Sequence, residues 1–463
     1  MTTRKLLERT CEMANGYLDS VRELRVGSTA DYEVLLQSMA APLPLAPQDP
    51  IAVIEDLAER AWPGLVTTPG PRHFGFVIGG VLPAALAADW LASTWDQNAF
   101  SFVLSPAATV VEEIVRRWLT DLLGLSSEMS LGVVTGGTMA NFTALAAARH
   151  ALLRDAGWNV EEQGLIGAPE LAVVTSDESH ITIFASLQML GLGRTRVTRV
   201  PTDDQGRMRP DALRSVLGAI KTPALVCAQA GNVNTGSFDP VQEISRLVRK
   251  AGGWLHVDGA FGAWAAASGE LRGLTAGLEL ADSVSVDGHK WLNVPYDCGF
   301  VFVRDREAHR AAMTLEAPYY APAPSVARAN HQWVPEASRR ARGFAVYAAL
   351  RSLGRDGLAE LVSRCARLAR RMAARLASGP HIRIMNDVVL NQVLASFGND
   401  GGHADARTAA VIRRVQDEGT CWVGGTTWHG MHVMRVSISN WSTTEEDIDL
   451  SADAILKCAI LEE

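Results

Sequence analysis

The chain has no cysteine pair spaced as CxxC and no Cys/His set spaced for zinc. Its six cysteines, at positions 11, 227, 298, 365, 421 and 458, are scattered. That argues against a zinc module and suits a reducing, cytoplasmic setting. No run of about 18 apolar residues occurs, so no membrane-spanning helix is expected. The opening stretch MTTRKLLERTCEMANGYLDSVREL reads as an amphipathic helix with acidic residues, unlike a secretory leader. No basic region is dense enough for nucleic acid. RELR, RRAR and RLARRMAARL each fit the solvated face of a helix, and the formal net charge is −8. A GxGxxG dinucleotide loop, a Walker loop with its lysine, internal repeats and low-complexity tracts are all missing.

What remains is ordinary for a large globular enzyme. The chain has 463 residues, 48% hydrophobic and 20% charged, enough for a sizeable core and more than one domain. Residues 1–38 read as amphipathic helices, followed by the proline-rich connector APLPLAPQDP and the helix IAVIEDLAERAW. Residues 70–104 are rich in aromatics and glycine, and a helix follows over 106–124. From about residue 130, short apolar runs alternate with helices: LGVVT, LAVVTS, RVTRVP, ALVCAQ, WLHVDG, SVSVD and GFVFVR. Continuous apolar strands joined by helical crossovers predict a mainly parallel α/β sheet covered on both faces. After about residue 340 come two helices, 342–353 and 356–377, then the strands VVLNQVLASF, TCWVGG and HVMRVSIS with helices between and after. The expected division is 1–95, an N-terminal helical segment; 96–340, a large domain; and 341–463, a small α+β domain.

Four stretches carry chemistry. TGGTMAN, Thr135 to Asn141, sits at a strand-to-helix turn, where glycines and free N–H groups suit a phosphate; a plain tight turn reads the same way. SDESH places His180 just past a strand, as a packed or capping residue or as a catalytic one. WLHVDGAFG ends a strand on Asp258, the usual ligand position of a parallel sheet. The small residues Gly259, Ala260 and Gly262 leave room for a flat group. SVSVDGHKWLNVPYDCG sets Lys290 between a histidine and a tryptophan, in an apolar neighbourhood that disfavours the charged amine. Snorkelling from a strand end is the alternative for that lysine. A Schiff-base lysine, an acid for a pyridine nitrogen, an anion cradle and room for a flat ring together match pyridoxal 5'-phosphate (PLP).

In these motifs the chain resembles the group II PLP-dependent amino-acid decarboxylases, fold-type-I enzymes that include aromatic amino-acid and glutamate decarboxylases. The resemblance runs from about residue 15 to 455 and rests on PRHFGFV, SPAATVVEEIVRRWL, TGGTMANFTAL, SDESH, GNVNTGSFDP, HVDGAFG, DGHKWLNVPYDCG and SNWSTTEEDID. It implies a seven-stranded, mainly parallel sheet, a small C-terminal domain, and a homodimer with shared active sites whose N-terminal segment packs on the partner. It further implies that Lys290 forms the Schiff base, Asp258 pairs with the ring nitrogen, His180 stacks on the ring and Ala260 packs on the opposite face. Gly137, Thr138 and His289 would hold the phosphate.

Three departures from the family pattern bear on function. Asp287 stands where Ser, Thr or Asn helps bind the phosphate, and is expected to turn away or pair with a cation. GNV replaces GTT, which makes Asn232 a candidate near the ring or Asp258. The loop tyrosine that protonates the intermediate after CO2 loss would fall near Asn330 or His331, and Tyr319 and Tyr320 lie about ten residues earlier. His331, Tyr319 and Tyr320 are therefore the candidate proton donors; the alternatives are that the loop carries no donor and that the tyrosines pack at an interface. The substrate pocket is expected among Phe74, Phe76 and, from the partner subunit, the segment of Phe100 and Phe102. Arg340 and Arg435 are candidates for a substrate carboxylate or phosphate. The expected reaction is decarboxylation of an aromatic or bulky apolar L-amino acid to the amine. The alternatives are decarboxylation with oxidative deamination to an aldehyde, or another PLP lyase or transaminase reaction.

Overall fold

The computed structural model describes residues 2–314, 317–318, 320, 328–398 and 401–460. Three helices open the chain: α1 (Thr3–Ser20), α2 (Tyr32–Met39) and α3 (Pro50–Ala61). Each is amphipathic, yet none contains a buried residue. Helices α4 (Pro83–Trp95) and α5 (Pro106–Leu122) follow. Pro106 starts α5, where its missing N–H costs nothing, and the Ser105 hydroxyl accepts from the Ala108 amide.

The central sheet is formed by β1 (Ser130–Val134), β2 (Ala172–Ser176), β3 (Val197–Val200), β4 (Ala224–Gln229), β5 (Trp254–Asp258), β6 (Ser283–Asp287) and β7 (Gly299–Val303). Their order is β1-β7-β6-β5-β4-β2-β3. Strand β7 runs antiparallel to β1 and β6, and the other pairs are parallel. Every residue of β1, β4, β5, β6 and β7 is buried, as expected for apolar strands covered on both faces. The connecting helices are α6 (Gly137–Asp155), α7 (Val160–Gln163), α8 (Ile181–Met189), α9 (Pro210–Ala219), α10 (Val241–Lys250) and α11 (Arg306–Met313).

Beyond residue 340, α12 runs Gly343–Ala377 and breaks at Gly354, whose φ of 63° only glycine adopts without strain. The two helices expected over 342–353 and 356–377 are thus both present and meet at this break. Strands β8 (Ile382–Ile384), β9 (Gln392–Phe397), β10 (Gly424–Trp428) and β11 (Met431–Ser437) form an antiparallel sheet; α12 and α13 (Gly401–Glu418) lie against it, and α14 (Glu445–Ile460) packs on those two helices. The three-residue edge strand β8 left no readable pattern in the sequence. TCWVGG is only partly a strand, because β10 begins at Gly424 and Trp422 instead bridges to His73. No helix among the described residues is long and apolar enough to cross a membrane.

Candidate active site

The carboxyl ends of β1, β2, β4, β5 and β6 open on one cleft of about 370 Å3. Such a position, beyond the strand ends of an open α/β sheet, is where ligands of these folds bind. Thr135, Gly137, Thr138, Asn141, His180, Asp258, Ala260, His289 and Lys290 all line it.

The first wall is the start of α6. Its cap, Gly136, offers no side chain to the first N–H groups, so these remain available to an anion. A Cβ at Gly137 would come 2.8 Å from Asp287 Oδ2, and one at Gly136 would come 2.9 Å from His289 Cε1. A side chain at either place would have to displace Asp287 or His289, so glycine keeps these two residues where they are. His289 Nδ1 accepts from the Cys298 amide at 3.2 Å, which leaves the proton of the neutral ring on Nε2. Burial pushes His289 below the ordinary histidine value and Asp287 pulls it back in part.

The second wall is Asp258, at the end of β5. Its Oδ1 accepts from the Ala260 amide at 3.1 Å and its Oδ2 from Asn141 Nδ2 at 3.0 Å. His180 caps α8, its Nδ1 lying 2.8 Å from Thr182 Oγ1. Burial lowers the His180 pKa most, with Asp258 opposing, so the ring is neutral near pH 7.

Lys290 does not sit in the apolar setting expected for it. Its Nζ is 2.8 Å from Asp287 Oδ2, so Asp287 meets the lysine as a counter-ion and does not turn away. The other oxygen, Oδ1, is buried with no hydrogen-bond partner among the described residues and is 3.6 Å from His289 Nε2. The structure thus joins an amine, a carboxylate at a strand end, a neutral histidine face, a small Ala260 surface and a helix-terminal cradle. These residue types suit PLP: were it bound there, Gly137, Thr138 and His289 would be available to its phosphate, Asp258 to its ring nitrogen, His180 and Ala260 to its faces, and Lys290 to its aldehyde.

Residues 34–397 match the family model described as pyridoxal-dependent decarboxylase conserved domain. The chain belongs to that family. It is 29% identical over 429 residues to L-2,4-diaminobutyrate decarboxylase of Rhizobium meliloti (strain 1021), covering 89% of this chain and 83% of that protein. It is 26% identical over 412 residues to 4-hydroxyphenylacetaldehyde synthase of Rhodiola rosea, covering 86% of this chain and 82% of the relative. Its fold is similar to that of Oryza sativa TDC solved with PLP and tryptamine, with a TM-score of 0.93, 23% identity, and coverage of 99% and 97% of the two chains. This decarboxylase is a PLP-dependent carboxy-lyase of the fold-type-I architecture.

Several expected site residues lie elsewhere in the chain. Phe74 is 1% exposed and belongs to the core, so it has no face left for a substrate. Phe76 is exposed, has φ of 55°, and stacks on Trp422 at 5.9 Å. Phe102 lines a different cavity, beside Arg306, Arg310 and Arg328. Arg340 is tied to α4, donating to Asp89 Oδ1 at 3.1 Å and Ser93 Oγ at 2.7 Å, so its charge is already met. Asn232 does not line the cleft; its Oδ1 accepts from the Asn234 and Thr235 amides and shapes the turn. Phe100, His331 and Tyr320 form one aromatic cluster, with His331 stacked on Phe100 at 4.4 Å and Tyr320 edge-on to Phe100 at 5.0 Å. None of the three lines the cleft around Lys290 in the same chain. Tyr319 lies outside the described residues.

The sequence reading missed Asn141, Thr182, His256 and Ser285, which hold the cleft's polar groups in place. A signal existed for two of them. His256 is two residues before Asp258 on one strand, and Ser285 two before Asp287 on the next, so each pair shares a face.

Proposed function

We propose that this decarboxylase removes the α-carboxylate of an L-amino acid with an aromatic or bulky apolar side chain, releasing CO2 and the amine. The observation that carries the reading is the convergence of Lys290, Asp258 and His180 on one cleft beside a glycine cradle. Bound there, PLP supplies an electron-accepting ring for the pair left behind when the carboxylate departs. Asp258 offers its carboxylate to the ring nitrogen, and its two hydrogen bonds hold it in one orientation. Neutral His180 covers one ring face without bringing a second positive charge. Lys290 supplies the amine, and Asp287, at 2.8 Å, is placed to take its proton.

Arg435 supports a place for the substrate carboxylate. Its guanidinium is largely buried, donates to the Val233 carbonyl at 3.2 Å, and has no carboxylate partner among the described residues. A buried cation without a counter-ion fits an anionic ligand. The exposed ring of Phe76 and the Phe100 cluster support an apolar side chain.

The proposed assembly is a homodimer. No residue of helices α1 to α3 is fully buried in its own chain, and a second copy is the cover that the family resemblance implies. The Phe100–His331–Tyr320 cluster would then complete the partner's cleft.

One observation favours a second outcome. At the loop position where a tyrosine is expected, Asn330 is buried on Thr109, and His331, whose Nδ1 lacks a partner among the described residues, is the nearest protonable side chain. Without efficient protonation the reaction would consume oxygen and give the aldehyde. The test is an amino-acid panel with PLP-loaded protein, following CO2, oxygen and product mass together, with Lys290→Ala as control. CO2 and amine without oxygen uptake support the proposal. Oxygen loss with aldehyde supports the second outcome, and no CO2 from any amino acid overturns both.

A further inference from the structure

Behind the cleft, the polar groups are linked to side chains that touch no solvent. Ser283, His256, Asn141 and Ser285 are all 0% exposed. The Trp254 indole donates to Ser283 Oγ at 2.9 Å, and an indole N–H can only donate. Ser283 Oγ accepts there and keeps its proton for His256 Nδ1, 3.0 Å away, which is the acceptor because His256 Nε2 faces the Asn141 carbonyl oxygen. Burial pushes His256 down to about 4, so the ring is neutral and carries its proton on Nε2. That Nε2–H donates to Asn141 Oδ1 at 2.9 Å, and Ser285 Oγ donates to the same oxygen at 2.6 Å. The Asn141 amide is thereby turned with its NH2 toward the cleft, where it donates to Asp258 Oδ2 and Thr182 Oγ1, each at 3.0 Å. Thr182, having accepted, donates its proton to His180 Nδ1 at 2.8 Å, which leaves the His180 proton on Nε2.

Both ends of this chain fix its sense. An indole begins it and a carboxylate, which only accepts, ends it. A flipped Asn141 would set its carbonyl against the Asp258 carboxylate and its NH2 against the His256 N–H. Asp258 is the charged group facing His256; His180 is faced by Asp258, Lys290, Arg435 and Asp287.

We propose that Trp254, Ser283 and His256 are positioning residues, forming a one-way hydrogen-bond relay that orients the Asn141 amide and so sets the Asp258 carboxylate and the His180 tautomer. What they position rests on the PLP reading of the cleft; the direction of the relay does not.

The experiment uses the full-length protein labelled with 15N at histidine, observed first without cofactor and then loaded with PLP. The two resonances are assigned with His180→Asn and His256→Gln. His256 is expected as the neutral Nε2–H tautomer across about pH 6 to 8, and His180 as the same tautomer at about pH 7 to 8. Ser283→Ala removes the proton aimed at Nδ1, so His256 should become a mixture of tautomers and PLP affinity should fall roughly tenfold, the value of one lost charge-linked hydrogen bond. His256→Leu should weaken PLP binding similarly. His256→Gln should restore it, because its amide offers an acceptor toward Ser283 and a donor toward Asn141. His256 protonated on Nδ1, or Ser283→Ala changing neither tautomer nor affinity, would overturn the relay. Expected tautomers in a protein that takes up no PLP would uphold the relay and refute the functional reading.

Discussion

Every residue of β5 and β6 is buried, whereas α1, α2 and α3 have no buried residue at all. The two regions share one chain but differ in how far their interactions are satisfied within it. At the cleft, Asp258, His180 and Lys290 each have a polar partner within 3.1 Å. In the N-terminal arm, Tyr32, Val34, Leu57 and Trp62 are between 47% and 73% exposed. Scattered exposed apolar residues need no explanation, but a whole arm without a buried face does. Under the proposed reading, Asp258, His180 and Lys290 would meet the cofactor from one chain, and a second copy would cover the arm.

The comparison can be broken most sharply at Lys290. Lys290→Ala should lower turnover on the order of 10⁴-fold or more and abolish covalent cofactor attachment, read by mass spectrometry after borohydride reduction. Folding should survive, because the side chain is 21% exposed and only one ion pair is lost. Turnover that persists would mean that the cleft is not the reaction site. The arm comes next. Leu57→Asp combined with Trp62→Asp places two charges on the surface that the second copy would cover. Self-association should weaken by roughly 10³-fold, seen by sedimentation at fixed concentration. A wild-type protein that sediments as a monomer would refute the dimer and leave the arm unexplained.

His331→Phe probes the point where the two regions would meet. The ring can still stack on Phe100, but the protonable nitrogens are gone. Amine formation should fall by about 10²-fold, with aldehyde rising if CO2 loss continues. An unchanged amine yield would remove His331 from the reaction.

The last expected effect is on acid stability and concerns the folded body alone. Burial lowers His73 and His256 to about 4 and His309 to about 3. These depressed histidines bind protons in the unfolded chain before they do in the native one. Stability is therefore lost as pH falls from about 6.5 toward 4. Asp239, pushed up to about 7 by burial, holds a proton in the native state and opposes this. For these four groups, three protons against one leave about two, or about 3 kcal/mol per pH unit near pH 5. Denaturant midpoints that stay flat between about pH 6.5 and 5 would contradict the buried-histidine picture.

The parts of this protein legible in its sequence are local. Seven strand-like runs gave seven strands; β1, β4, β5, β6 and β7 are buried throughout, as strands covered on both faces are, whereas β3 at the sheet edge leaves Thr198 and Arg199 exposed. Asp258 and Lys290 stood out because each lies at or just past a strand end, within a few residues of small or glycine neighbours. Distant pairings were not legible. Asn141 meets Asp258 across 117 positions, and nothing in TGGTMAN says which strand end its amide will face. Arg340 looked free for a substrate until Asp89, 251 positions away, proved to hold it. Phe74 looked like pocket lining because an aromatic motif does not reveal which of its rings turns into the core.

By itself, then, the sequence determined the order of strands and helices, the cradle glycines and the residue types that suit PLP, because these depend on hydrophobic period and on backbone freedom within a few residues. Only the tertiary structure decided which side chains share the cleft, that Asp287 pairs with Lys290, and the direction of the hydrogen bonds behind Asp258. The physical reason is that sheet order, set by the burial of whole elements, brings together strand ends far apart in the chain. The donors and acceptors found there can then be satisfied in only one arrangement.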